Sequence, residues 1–126
     1  MKKLLPPLAV LAVIFLFAAV NSNSIARSTE RWQSQLLQAE DLAAREQWEE
    51  AAAVLEESYR DWEKAQTYLH ILLPHDAVDG AEAMYHRARA FVLTKEDSEF
   101  RAEAADLRTQ LALLAEMEQF DLKNVL

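Results

Sequence analysis

After Pro7 the chain holds a single proline, Pro74, and a single glycine, Gly80, and the two stand six residues apart. Every other reversal of direction must be made without the residues best suited to turns. Under that constraint a chain of 126 residues has few options beyond long helices joined by short polar corners. Its most frequent residue types, Ala, Leu, Glu and Arg, are strong helix formers, as is Gln, so the expected fold class is all-α with one domain. The absence of cysteine removes disulfides, thiolate catalysis, Cys-type zinc sites and lipobox anchoring.

At the N-terminus Lys2 and Lys3 precede 17 uncharged, overwhelmingly apolar residues, Leu4 to Val20. As a helix this run spans roughly 25 Å at about 1.5 Å per residue, near the lower limit for a bilayer core. Pro6 and Pro7 fall at its start, where a missing N–H and a fixed φ are tolerated. Residues 1–23 therefore read as an N-terminal transmembrane anchor or as a signal sequence cut beside Ser22/Ser24 or Ser24/Ala26. Lys2, Lys3 and the terminal amine favour the N-terminus inside, against the opposing pull of Arg27 and Arg31. The predicted orientation puts the following domain, residues 24–126, outside the cytoplasm. Of the 13 Lys and Arg, two precede the apolar run, leaving 11 against 21 Asp and Glu, a net charge of −10. Such a domain is repelled by polyphosphate and by anionic headgroups, which argues against nucleic-acid binding and against a second, peripheral contact with the bilayer.

Four helices follow from the apolar period in residues 24–126. The first spans about Ser24 to Arg45, with Ile25, Trp32, Leu36, Ala39 and Ala43 on one face. The second, about Gln47 to Leu73, repeats Trp48, Ala52, Leu55, Tyr59, Trp62, Ala65, Leu69 and Leu72 every three or four residues. A third begins near Asp76 or Asp79 and carries Val78, Ala81, Tyr85, Ala88 and Val92. Asp97 is the expected N-cap of a fourth, with Phe100, Ala104, Leu107, Leu111 and Leu114. A shift of 52 residues lays Trp48, Ala52, Leu55, Tyr59 and Trp62 over this last set. The predicted architecture is two antiparallel helical hairpins, loosely tetratricopeptide-like, although the 34-residue period of that repeat is absent. The apolar side chains of the tail, Phe120, Leu122, Val125 and Leu126, are expected to be buried: Phe120 continues the fourth helix, while Leu122 and the Val125/Leu126 pair fold back to close the open end of the hairpins or sit in a partner's groove.

The segment around Pro74 concentrates polar chemistry. Pro74 should end the second helix, Asp76 should cap the third, and Asp79 should complement its dipole. Gly80 suggests either close approach of a neighbouring helix or a helix that starts only there. If the third helix reaches back to His75, then His75, Asp79, Glu82 and His86, spaced four, three and four, share a face, and two imidazoles with two carboxylates suit zinc or another divalent metal. Ligands along one straight helix point in parallel, so a second helix would have to complete such a site; a solvated face with capping duties is the plainer reading. His70 is expected at the edge of the apolar stripe.

No Gly-rich phosphate loop, nucleophile elbow or His-Glu-x-x-His pair occurs. Neighbouring acids such as Glu49/Glu50 and Glu56/Glu57 diverge by about 100° on a helix, and Trp32, Trp48 and Trp62 lie within apolar stripes as core residues do. No catalytic, cofactor or metal residues are assigned, and no enzyme activity is expected.

The Lys-rich start and single apolar span, "DWEKAQTYLHILLPHDAVDGAE" and the terminal "DLKNVL" resemble a family of short single-pass membrane-anchored helical proteins from Gram-positive endospore-forming bacteria, known only as a domain of unknown function. The resemblance rests on Trp48 and Trp62 with Glu49 and Glu63, the His75 to Asp79 corner, and Leu122, Asn124 and Leu126. It implies an uncleaved anchor and an exported helical domain, and it implies no activity. The expected function is an interaction or accessory subunit in the cell membrane, docking on an integral membrane partner or on itself. A metal- or small-ligand-binding module using His75, Asp79, Glu82 and His86 is the alternative.

Overall fold

The computed structural model describes residues 5–125. Among them four helices follow one another: α1 (Leu5–Ala44), α2 (Trp48–Leu72), α3 (His75–Leu93) and α4 (Asp97–Val125). The all-α fold class is as expected. The described part of the expected anchor and the first helix of the expected domain are one unbroken helix, α1. Asn21 to Ser24 are polar, yet they contain no Gly or Pro to end a helix. Among the described residues no helix is long and apolar enough to cross a membrane.

Beyond Val20, α1 carries one inward stripe, Ile25, Thr29, Trp32, Leu36, Ala39 and Ala43, all buried. The spacing of four, three, four, three and four is the seam of a helix bundle. In α4 the buried Phe100, Ala104, Leu107, Leu111 and Leu114 repeat it. The helices run alternately up and down, and each packs against the next in sequence while α4 closes back onto α1. A closed four-helix bundle thus replaces the stacked hairpins of a tetratricopeptide array. Trp32 and Trp62 meet edge to face at its centre, 5.5 Å between rings. Burial of side chains this large is worth roughly 2–3 kcal/mol each.

Every seam carries an arginine–carboxylate pair. Arg31 reaches Asp61 across α1–α2 at 2.5 Å, Arg89 reaches Glu56 across α2–α3 at 2.9 Å, Arg87 pairs with Glu103 across α3–α4, and Arg108 reaches Glu40 across α4–α1 at 2.7 Å. The exposed Arg31–Asp61 pair contributes about 0–1 kcal/mol, while Arg89–Glu56 and Arg108–Glu40 are partly buried.

Two corners share one chemistry. At the end of α1 the N–H of Gln47 donates to Leu42 O and that of Glu46 to Ala43 O; at the end of α3, Glu96 and Lys95 donate to Phe91 O and Val92 O in the same way. Glu46 (φ 62°) and Lys95 (φ 57°) take the left-handed conformation these turns require. The two corners make α2 correspond to α4 at an offset of 49 residues, Trp48 to Asp97, rather than 52. At that offset the buried Ala51, Leu55, Ser58 and Trp62 fall on the buried Phe100, Ala104, Leu107 and Leu111. The 52-residue shift paired Trp48 and Ala52, both only partly buried, with core positions.

The third corner depends on Pro74, which is the N-cap of α3 and makes no side-chain cap. Asp76 lies in the first turn, where its charge complements the dipole; it is not the cap. Asp97 opens α4 as a helical residue and pairs with Arg101 at 2.8 Å, so it is not a cap either. Gly80 lies inside α3, and a Cβ there would meet only Gln110 of α4, at an ordinary 3.5 Å. Phe120 continues α4 as expected, and the helix runs on to Val125 rather than folding back after it. Phe120 stands exposed on it, while the side chains of Leu122 and Val125, and Leu126 altogether, lie outside the described residues.

Candidate functional site

Polar side chains gather on the α2–α3 seam. Tyr59 and Trp62, three residues apart, face α3; Glu82 and His86, four apart, face α2. Glu82 Oε1 accepts a hydrogen bond from the Tyr59 hydroxyl at 2.6 Å, and Oε2 accepts one from Trp62 Nε1 at 2.5 Å. His86 Nε2 stands 3.0 Å from Glu82 Oε1 and 3.4 Å from the Tyr59 oxygen. Burial alone pushes the Glu82 carboxyl up, but the Tyr59 and Trp62 donors and the adjacent His86 outweigh it and hold the group below the usual carboxylate range. Burial, together with Glu82 and Glu63, pushes the Tyr59 hydroxyl well above the ordinary phenol range. Tyr85, fully buried, is raised by burial in spite of its 2.8 Å hydrogen bond to Ser58. Arg89 lies 4.3 Å over the Tyr59 ring and pairs with Glu56, completing the cluster.

Chemically this arrangement fixes protonation states. Glu82 is held ionised with donors on both oxygens, and both phenols are held neutral, so none is tuned to exchange a proton near neutral pH. Its effect is to lock α2 to α3.

The face expected to gather His75, Asp79, Glu82 and His86 is divided in two. Glu82 and His86 turn to α2 as described. His75 and Asp79 meet His70 instead: the imidazoles of His70 and His75 lie 4.8 Å apart, tilted by 33°, with their Nδ1 atoms 2.9 Å apart, and His70 Nε2 is 3.5 Å from Asp79 Oδ1. Parallel projection from one helix prevents the four from converging. Among the described residues no group of three or more His, Asp or Glu is placed to hold a metal ion.

Sequence reasoning treated Tyr59 and Trp62 as core, and they are, but it missed that their polar atoms need partners. A buried tryptophan or tyrosine points to a nearby acceptor, and that signal was available. The same holds for Trp32, whose Nε1 donates to Asp61 at 3.3 Å.

The chain belongs to the family DUF4363, a domain of unknown function, whose model matches residues 19–125. The match covers the whole bundle and begins within the apolar run. No curated protein and no solved structure matches the chain.

Proposed function

We propose that this chain is a membrane-anchored interaction module without catalytic activity, in which the N-terminal half of α1 holds an acidic helical bundle at the outer face of the bilayer, where it docks on an integral membrane protein. The observation that carries the reading is the exposure of that half. Leu8, Val13, Leu16 and Phe17 stand 58–68% exposed, on a helix stretch whose described side chains from Leu5 to Phe17 are all exposed. An apolar surface of this kind calls for a cover, and a bilayer supplies it on every side at once. From Leu5 to Val20 the helix carries no charged residue and is roughly 24 Å long. The docking role is supported by the state of the polar clusters, whose groups are engaged in holding helices together.

Fractionation of cells tests the anchor. Full-length chain should remain in the membrane fraction after high salt and alkaline carbonate, while residues 24–126 expressed alone should be soluble. Recovery of the full chain in the soluble fraction would reject the reading. Protease added to intact protoplasts should remove the bundle, and its protection would reverse the orientation. Crosslinking in cells, followed by identification of what co-purifies, tests the partner.

A further inference from the structure

The two ends of the bundle differ in chemistry. One end is made by the corners at Arg45–Gln47 and Thr94–Glu96, where Arg45, Glu46, Lys95 and Glu96 are exposed or half-exposed charges. The other end is where the apolar half of α1 departs. There Ser24 to Trp32 of α1 lie against Tyr68 and Leu69 of α2, and the last turns of α4 meet the Pro74 corner. Pro74, Leu113, Glu116, Met117 and Phe120 line an open cavity of about 340 Å³. Ile71, three residues before Pro74, is 76% exposed, and Phe120 is 64% exposed. From Ala65 to Pro74 no acidic residue occurs, in a chain with 21 Asp and Glu.

We infer that this end of the bundle seats on the membrane, with Ile71, Leu113 and Phe120 entering the boundary between headgroups and acyl chains around the root of α1. The inference rests on the anchoring reading above, and its ground is continuity: the apolar collar surrounds the point at which an apolar helix leaves the bundle. A zwitterionic lipid surface fits the charges beside the collar. Exposed Arg27 and Lys123 suit phosphate, while Asp76 and Glu116 suit the choline ammonium. The anchor holds the collar at the interface, so contacts too weak to bind a free bundle become populated through effective concentration. The repulsion expected from net charge is an average over the whole domain; Ala65 to Pro74 adds no acid to the contact surface, which carries the acids Asp76 and Glu116.

The chain has no cysteine, so single-cysteine variants can each report one position. Phe15→Cys, Ile71→Cys, Phe120→Cys and Glu46→Cys full-length chains, labelled with an environment-sensitive dye, would be reconstituted in phosphatidylcholine vesicles with or without brominated acyl chains. Blue-shifted emission, lost on bromination, is expected at positions 15, 71 and 120 and not at 46. Water-like, unquenched emission at 71 and 120 with quenching at 15 would overturn the seating and leave the anchor standing. Water-like emission at 15 as well would remove the anchor, and the seating with it. Blue-shifted emission at 71 and 120 that bromination does not quench would mean that protein, such as a second copy, covers the collar, and would equally overturn the inference.

Discussion

At the scale of single residues, removing Glu82 affects its neighbours more than itself. Its carboxylate satisfies Tyr59 and Trp62, which are 5% and 0% exposed, so Glu82→Ala strands two buried donors. A loss of about 2–4 kcal/mol is expected, against about 1–2 for Glu82→Gln, which keeps one acceptor oxygen. Chemical denaturation of residues 24–126 measures both. Because the folded-state pKa of Glu82 lies below its unfolded value, its contribution is fully present above the ordinary carboxylate range, near pH 4.3, and is lost as pH falls through the depressed folded value. The melting temperature of the wild type should therefore converge on that of Glu82→Gln as pH drops from about 6 to 3. A difference that stays constant over that range would contradict the role given to the carboxylate. The Ser58–Tyr85 pair gives an ordering. Tyr85→Phe leaves a serine hydroxyl that can turn back to its own helix carbonyl, whereas Ser58→Ala leaves a buried phenol with no such recourse. Ser58→Ala should be the more destabilising, by about 1 kcal/mol.

At the scale of elements, two corners place non-glycine residues at positive φ, and the one glycine sits where it confers no conformational advantage. Left-handed backbone costs an L-residue about 1–2 kcal/mol, so Glu46→Gly and Lys95→Gly should each stabilise the bundle, by up to about 1 kcal/mol once added unfolded-state freedom is allowed for. Gly80→Ala should also stabilise by up to about 1 kcal/mol, since Gln110 is only in van der Waals contact with the added Cβ. Thermal melting of the three variants checks these signs. The apolar stripes of α1, α3 and α4 were legible in sequence because a seven-residue rhythm leaves few alternatives. In α2 the buried set included Ala51 and Ser58, which periodicity had passed over for Trp48 and Ala52; Ser58 is a polar residue whose burial rests on its hydrogen bond to Tyr85 of another helix. Helix starts were misread at Asp76 and Asp97 because a capping residue and a first-turn residue have the same composition. The metal-type face of α3 was legible as a row but not as two separate clusters, since the partner side chains that divide it, Tyr59, Trp62 and His70, belong to another helix.

For the whole molecule, the ring of four seams accounts for a bundle that needs nothing from the N-terminal apolar stretch. Among the described residues the buried positions of α1 begin at Ile25, so a chain of residues 24–126 should melt cooperatively within a few degrees of the bundle in the full-length chain held in detergent. A collapse of helix content on truncation would show that the apolar half is part of the core. The unbroken course of α1 has a further consequence for how motion passes along the chain. A helix without a flexible joint transmits torque, so the azimuth of the bundle about the axis is set by the number of residues between Val20 and Ile25. One inserted alanine turns the bundle by about 100° and lifts it by about 1.5 Å. Any partner lying beside α1 then meets a different seam, and the chain behaves as a keyed shaft whose length in residues is also its phase.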